Sequence, residues 1–295
     1  MGYDSIYYFY NMQINKNNTS FNLNCKGKVL EINKPIVMGI INATPDSFYE
    51  ESRKINIDTA VAKATEMINE GATIIDIGGQ TTKPGSEPIT AGEEIERVLP
   101  IIKEINKTFP EVFISIDTYY SSVAEAAVEA GASIVNDISG GMFDKEMIPT
   151  VARLEVPYIC MHIQGTPKTM QENPVYQNVT NDVLDYFIQR IAVCKEAGIK
   201  DVIVDVGFGF GKTVAHNYQL LKSLSVFQIL EKPLLVGVSR KGMIYKPLGI
   251  TANEALNGTT VINTIALQQG ANILRVHDVK EAKEAIDLLA LIDYL

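Results

Sequence analysis

Residues 113–138 read FISIDTYYSSVAEAAVEAGASIVNDI, and this stretch contains one complete repeat of the pattern that decides the fold. An apolar run ends at Asp117, a helical run rich in Ala and Glu follows it, and a second apolar run ends at Asn136. Between them Gly131 stands where a helix C-cap is expected. A strand, a helix and a second strand in this order predict parallel strands joined by a crossover helix.

The same repeat occurs eight times from residue 36 onward. The predicted strands are 36–41, 73–77, 113–117, 133–138, 157–162, 202–206, 233–238 and 272–277. Most are continuous apolar runs, which is typical of strands covered on both faces. Eight repeats in about 260 residues, without a linker between them, predict one closed (β/α)8 TIM barrel in preference to two doubly wound domains.

The residues before the first predicted barrel strand divide into two parts. Residues 22–33 have the pattern of a β-hairpin, which we expect to plug the bottom of the barrel. Residues 1–20, rich in Tyr and Asn, are interpreted as a partly disordered N-terminal extension. The predicted organisation is therefore an extension at 1–20 and a single barrel domain at 21–295.

Composition and charge exclude several classes of protein. The chain has 295 residues, of which 46% are hydrophobic, and a net charge of −9. These values exclude a disordered, collagen-like or coiled-coil protein, and the acidic balance weighs against a nucleic-acid partner. The longest apolar runs have about eight residues and a membrane span needs about 20, so no membrane partner is expected. An early acid replaces the basic segment of a signal peptide, which predicts a cytoplasmic protein.

The cysteine pattern predicts neither disulfide bonds nor a metal site. Cys25, Cys160 and Cys194 are odd in number and far apart, which fits neither a disulfide scaffold nor a zinc site. Cys160 and Cys194 are interpreted as small core residues.

All eight predicted strands end in polar residues. In a TIM barrel these ends meet at one face, where the loops that follow the strands build the active site. One such residue alone is more often a turn former or a helix N-cap, but eight that converge predict a site. The residues are Asn42, the run 79–86, Asp117, Asn136 with Asp137, His162 with Gln164, Asp205, the run 239–241, and Arg275 with His277.

Three of these side chains are suited to a flat ring with adjacent NH and amino donors. Asp117, Asn136 and Asp205 offer two carboxylates and an amide, which accept hydrogen bonds from a guanidine-like edge and hold phosphate poorly. The alternative for Asp205 alone is an N-cap of the following turn.

The last two strands supply cations instead. Lys241 is placed to bind a ring carbonyl or an imine nitrogen, and the alternative is a solvated surface lysine. Arg275 and His277 are two residues apart on one strand face, an arrangement suited to an anionic leaving group.

The loops add further candidates. In DVGFGFGKT, residues 205–213, the spacing fits neither a Walker A loop nor a dinucleotide fingerprint, and Phe210 offers an aromatic face. The long loops 42–53 and 79–90 are interpreted as a lid. Asn42 could supply one oxygen ligand to a hydrated Mg²⁺ whose other ligands are substrate phosphates and water.

Taken together, these segments resemble the dihydropteroate synthase family of pterin-binding barrels. The resemblance runs from about residue 36 to 285 and keeps the family's order. The matching segments are IINATPDSF (40–48), IDIGGQTTKPGS (75–86), SIDT (115–118), NDISGG (136–141), MHIQGTPKTMQ (161–171), DVGFGFGK (205–212), VGVSRKGMI (236–244) and RVHDV (275–279).

The resemblance implies that 6-hydroxymethyl-7,8-dihydropterin diphosphate reacts with 4-aminobenzoate to give 7,8-dihydropteroate and diphosphate, with Mg²⁺ at Asn42. It implies a pterin site formed by Asp117, Asn136, Met161, Asp205 and Lys241. It implies a diphosphate site formed by Thr82, Arg275 and His277. For 4-aminobenzoate it implies Ser239, Phe210, Phe48 and Pro84. The groups implied in the chemistry itself are Lys241, Arg275, His277, Asp46 and Lys83.

The resemblance also implies a homodimer that pairs through the helices of the seventh and eighth units. Lys83 stands where the family has Arg. A guanidinium, which can form two parallel hydrogen bonds to a phosphate, is thus replaced by a single ammonium group. Tyr119 and Tyr120 are bulky for their position and are expected to narrow the mouth of the barrel.

The sequence leaves two alternative functions open: a corrinoid-dependent methyltransferase of the related barrels, and a non-catalytic pterin-binding paralogue.

Overall fold

The computed structural model describes residues 20–43, 50–81, 85 and 87–293. Its framework is a closed barrel of eight parallel strands, which confirms the predicted TIM barrel. A two-stranded antiparallel sheet precedes it, formed by β1 (Phe21–Cys25) and β2 (Lys28–Ile32). The barrel strands are β3 (Ile36–Asn42), β4 (Ala72–Gly78), β5 (Phe113–Asp117), β6 (Ile134–Asp137), β7 (Tyr158–Met161), β8 (Val202–Asp205), β9 (Leu234–Val236) and β10 (Ile273–Val276).

Helices cover the outside of the barrel. They are α1 (Glu50–Asn69), α2 (Ala91–Thr108), α3 (Ser121–Ala130), α4 (Met147–Leu154), α5 (Val179–Glu196), α6 (Val214–Lys222), α7 (Gly242–Leu248), α8 (Leu256–Gln268) and α9 (Val279–Asp293). The sequence pattern did not predict α7, a short helix that contains Pro247 and lies between β9 and α8. Within the described ranges, no helix combines the length and the apolar character that a membrane crossing requires.

The barrel closes between its first and last strands. β10 pairs in parallel with β3, and Arg275 stands opposite Met38 in this register. On its other side β10 pairs with β9. Closure therefore places the last strand of the chain beside the first barrel strand.

The hairpin seals the bottom of the barrel, as predicted. Leu23, Cys25, Leu30 and Ile32 of the hairpin belong to one buried cluster with inward-facing barrel residues. Those barrel residues are Ile36, Met38, Ile74, Ile134, Ile159, Ile203, Leu235 and Ile273. All three cysteines are free and buried, and Cys160 and Cys194 lie in the larger core cluster between barrel and helices, as predicted.

Leu30→Ala should lower the free energy of unfolding by about 2 to 5 kcal/mol, because it leaves a cavity beneath the barrel. Leu30 is 2% exposed, whereas its neighbour Val29 points to solvent and is 58% exposed. Urea unfolding of Leu30→Ala and of the control Val29→Ala measures the difference. Equal losses in the two variants would show that the hairpin does not plug the barrel.

Candidate active site

On several barrel strands the inward face changes from apolar to polar toward the C-terminal end. Inward side chains recur every second residue along a strand. In β4 the inward Ile74 is followed by Asp76, and in β10 the inward Ile273 is followed by Arg275. The same step adds Asn136 on β6 and Asp205 on β8, so polar side chains lie directly above the apolar floor, whereas on β7 it places the apolar Met161.

Arg275 is at the centre of this layer. Its Nε donates to Oδ2 of Asp76 at 2.6 Å, and its Nη2 donates to Oδ2 of Asp117 at 2.6 Å. Burial opposes the positive charge, but the two carboxylates outweigh it and raise the pKa of Arg275. The structure thus brings together the predicted residues Asp117 and Arg275, although they were assigned to different ends of the ligand.

Asp117 lies beside this cation in a low-dielectric surrounding. Its pKa is raised to about 7, mainly by burial; Arg275 acts to lower the pKa, and the nearby Asp76 and Asp137 act to raise it. A pKa near neutrality makes the charge of Asp117 sensitive to what binds beside it.

Asp205 and Lys241 form a second charged pair across the cup. Burial raises the pKa of Asp205, which Lys241 opposes, and burial lowers the pKa of Lys241 to about 8, which Asp205 opposes. Lys241 Nζ donates to the carbonyl of Phe208 at 2.8 Å and lies 4.6 Å from the ring centroid of Phe210. The lysine is therefore buried against an aromatic face and is not the solvated surface residue of the alternative interpretation.

The turn function considered for Asp205 is also present. Its Oδ1 accepts a hydrogen bond from the backbone N–H of Gly207 at 2.8 Å. One oxygen of Asp205 thus holds the loop after β8.

His277 and Ser239 lie beside the cations and are bonded to each other. Ser239 Oγ lies 3.0 Å from Nδ1 of His277 and accepts from the backbone N–H of His277 at 3.2 Å. The Ser239 hydroxyl can accept from the backbone and donate to Nδ1 at the same time, and in that tautomer the proton of the neutral ring is on Nε2. Burial, and then Arg275, lower the pKa of His277 to about 4, so the ring is neutral at pH 7 and can donate one hydrogen bond.

An apolar wall borders the cup. Met161 belongs to a buried cluster with Ile138, Ile163 and Met170, and Phe210 and Tyr119 pack against that cluster. The Tyr119 hydroxyl donates to Oε1 of Gln80 at 3.1 Å, which ties the loop after β5 to the loop after β4. A flat ring would find apolar side chains on this wall and hydrogen-bonding groups around its edge.

The predicted magnesium ligand is Asn42. Asn42 ends β3 at the same mouth and is exposed, so its amide oxygen is accessible to a hydrated ion. The remaining sequence candidates, Asp46, Phe48, Thr82, Lys83 and Pro84, lie outside the described residues.

Sequence reasoning missed Lys212, which organises the loop after β8. Its Nζ donates to the carbonyls of Gly207 at 2.9 Å and Phe210 at 3.0 Å, and lies 2.9 Å from Nδ1 of His162. Burial lowers the pKa of Lys212 to about 7. The lysine thereby fixes the loop that carries Phe210, and a Lys directly after a glycine-rich run was the signal for it.

Asp76 was also missed. It is fully buried, and it joins Asn136 to Arg275. The signal was present in the sequence, because a carboxylate in the middle of an apolar strand is costly unless it has buried partners.

Another buried carboxylate, Glu94 of α2, anchors the base of the loop after β4. Its Oε2 accepts from Thr118 Oγ1 at 3.1 Å and from Gln80 Nε2 at 3.5 Å. Burial is the main cause that raises the pKa of Glu94 to about 7.

Glu94→Gln should change how stability depends on pH. The pKa of Glu94 is raised from an ordinary 4.5 to about 7 in the folded protein. The contribution of the protonated side chain is therefore complete below pH 4.5 and is lost as the pH rises through 7. Relative to the variant, the wild type should lose on the order of 3 kcal/mol of unfolding free energy across this window. Urea unfolding at pH 4.5 and pH 8 measures it, and a difference that is the same at both values would contradict a buried, titrating Glu94.

Comparison with known proteins agrees with this geometry. Residues 38–277 match the family model described as pterin binding enzyme. The dihydropteroate synthase of Escherichia coli strain K12 is 45% identical over 263 residues, which are 88% of this chain and 93% of that protein.

Solved structures give the same family. Yersinia pestis dihydropteroate synthase with a sulfonamide drug complex superposes with a TM-score of 0.88 at 39% identity, over 93% of this chain and 100% of the other. Xanthomonas albilineans dihydropteroate synthase in complex with 7,8-dihydropteroate gives 0.83 at 33% identity, over the same shares of the two chains. The chain thus belongs to the pterin-binding enzymes and, within them, to the dihydropteroate synthase family.

Proposed function

We propose that this protein joins 6-hydroxymethyl-7,8-dihydropterin diphosphate to 4-aminobenzoate, and releases 7,8-dihydropteroate and diphosphate. The observation that carries the proposal is the single mouth at which Asp117, Asn136 and Asp205 face Lys241 and Arg275. The 7,8-dihydropteroate bound to the relative from Xanthomonas albilineans is the product of this reaction and supports it.

The acceptors of the cup suit the pterin. Asp205 and Asn136 come from β8 and β6 and would accept from the guanidine-like edge, while Asp117 would accept from a ring N–H. Lys241 would donate to the ring carbonyl or the imine nitrogen. Met161 and Phe210 would contact the faces of the ring.

The cations suit the departing anion. In the reaction the amine nitrogen of 4-aminobenzoate forms a bond to the exocyclic methylene carbon, the bond from that carbon to diphosphate oxygen breaks, and the amine loses a proton. Negative charge grows on the diphosphate as it leaves, and Arg275 and the Nε2–H of His277 would stabilise it, together with Thr82. Such catalysis requires no nucleophile from the protein.

Magnesium is part of the proposal. Asn42 would hold it through its exposed amide oxygen, and Mg²⁺ usually keeps several waters and binds substrate phosphates. When bound, the ion would take up charge from the diphosphate oxygens.

The 4-aminobenzoate site is proposed around Ser239 and Phe210, with Phe48 and Pro84 contributed by the lid loops. Ser239 already bonds to His277, so it would bind the carboxylate as part of that pair. Asp46 and Lys83 would complete the site from the lid loops.

Turnover by the purified protein tests the function. With Mg²⁺ and both substrates, dihydropteroate and diphosphate should form in equal amounts, and both should stop when 4-aminobenzoate or Mg²⁺ is withheld. In Asp205→Asn the pterin should bind at least about tenfold more weakly, because a buried donor edge loses its charged acceptor. Pterin binding without turnover would favour the non-catalytic paralogue, and methyl transfer to a corrinoid would favour the methyltransferase.

We also propose a cytoplasmic homodimer. Free, buried cysteines fit a reducing compartment. Neighbouring helices of the last two units carry large apolar side chains that are exposed in the single chain, which is typical of an interface. These side chains are Leu248, Val261, Ile265, Leu288, Leu291 and Ile292.

Val261→Glu should convert the dimer to monomer, because it places a charge in the apolar interface. Sedimentation velocity at several protein concentrations measures the association. The control is Ile188→Glu on α5, where the native side chain is similarly exposed. A wild type that stays monomeric, or equal weakening by both variants, would count against the proposed interface.

A further inference from the structure

Asp76 is a charged group at the floor of the cup that the proposed function leaves without a role. It is 0% exposed, and it follows Ile74 on the inward face of β4. Its neighbours in the register of the sheet are Ile40 and Ser115, which carry no charge. Its counter-ion and its hydrogen-bond donors therefore come from strands that are not adjacent to β4.

The first of these contacts fixes the orientation of an amide. Asn136 Nδ2 lies 3.2 Å and 3.4 Å from the two carboxylate oxygens of Asp76. An amide turned the other way would place its oxygen against a carboxylate, which repels it. Asp76 therefore keeps Nδ2 toward itself and Oδ1 turned away from it, where Oδ1 can accept from a ligand.

The second contact holds the guanidinium of Arg275. Asp76 Oδ2 lies 2.6 Å from both Nε and Nη2 of this arginine. The same Nη2 also donates to Asp117. Asp76 thus binds both Nε and Nη2 of the guanidinium, while Asp117 binds Nη2 only.

We propose that Asp76 is a positioning residue for the pterin end of the site: it orients the Asn136 amide and anchors Arg275, and it does not contact the substrate. This inference rests on the proposed function. When a ring N–H of the pterin donates to Asp117, that carboxylate either accepts from both the pterin and Arg275 or loses its bond to Arg275. The contact with Asp76 then keeps the guanidinium in the cup, beside the position of the departing diphosphate.

The test compares Asp76→Asn with Ser115→Ala, a matched control. Ser115 is equally buried and stands opposite Asp76 in the register of β5, and among the described residues its hydroxyl has no hydrogen-bond partner. Calorimetric titration with 6-hydroxymethyl-7,8-dihydropterin should show at least about tenfold weaker binding to Asp76→Asn, because a charged hydrogen-bond acceptor is lost. Ser115→Ala should bind like the wild type.

A double-mutant cycle separates positioning from general damage. If Asp76 acts through the amide, Asn136→Ala should weaken pterin binding less in the Asp76→Asn protein than in the wild type. Additive losses would overturn the inference.

The pH profile of kcat/KM gives a second readout that a structural role alone would not move. The charged groups that act on Asp117 are Arg275, Asp76, Asp137 and Lys241. Asp76 is among those that raise the pKa of Asp117, so its neutralisation should shift the acid limb of the profile to lower pH. An acid limb that stays in place would contradict the proposal.

A variant that leaves Asp76 intact covers the case in which Asp76→Asn fails to fold. Asn136→Asp keeps an oxygen acceptor but places it against Asp76, so it should bind the pterin more weakly than Asn136→Ala. Equal or tighter binding by Asn136→Asp would overturn the inference. A wild type that binds no pterin would refute the proposed function itself. If the wild type turns over normally and Asp76→Asn binds the pterin as tightly as the wild type, only this inference is refuted.

Discussion

The pairing of β10 with β3 closes the barrel, and the arrangement of the mouth depends on it. The backbone N–H of Ile36 donates to the carbonyl of Asn272 at 2.9 Å, and from there the two strands run in register. In an open sheet β4 and β10 would lie near opposite edges. Closure brings Arg275 within 2.6 Å of Asp76, which is 199 residues away in sequence.

Closure also explains how several charges can be buried together. An isolated charge in a protein interior is strongly destabilising, and a partner from another strand offsets that cost. Asp76 and Asp117 share Arg275, and Asp205 faces Lys241. Such fixed charges in a low-dielectric cup act strongly on a substrate and need no reorganisation during the reaction. The hairpin contributes by keeping the floor beneath them apolar and filled.

The fold could be predicted from the sequence, because each strand or helix is indicated by the residue pattern of one short segment. The predicted bounds of β5 (Phe113–Asp117) match the structure to the residue, and the helical run predicted after it forms α3 (Ser121–Ala130). The helix α7 was not predicted, since a short segment with Gly at its start and Pro247 inside it has no clear helical period.

Five residues of the mouth were predicted from the sequence, but their pairings were not. Polar strand ends identified Asp117, Asn136, Asp205, Lys241 and Arg275 as residues of one mouth. That Arg275 bonds to Asp117, or that Ser239 bonds to His277, follows from distances across a closed barrel, which no single stretch of sequence contains. Asp76 was missed for the same reason, because its partners lie on other strands, and Lys212 was missed because its partners are loop carbonyls and His162, which no strand pattern predicts.

The position of Arg275 on β10, with His277 directly after this strand, has a consequence for biosynthesis. A nascent chain exposes its carboxylates on β4 and β5 long before the ribosome has made β10, so during most of synthesis these acids lack their arginine. Domains generally fold as units, and here the unit is complete only when the last repeat emerges. A truncated translation product would therefore lose its barrel closure and its anion-binding end together, and would have no partial activity to retain.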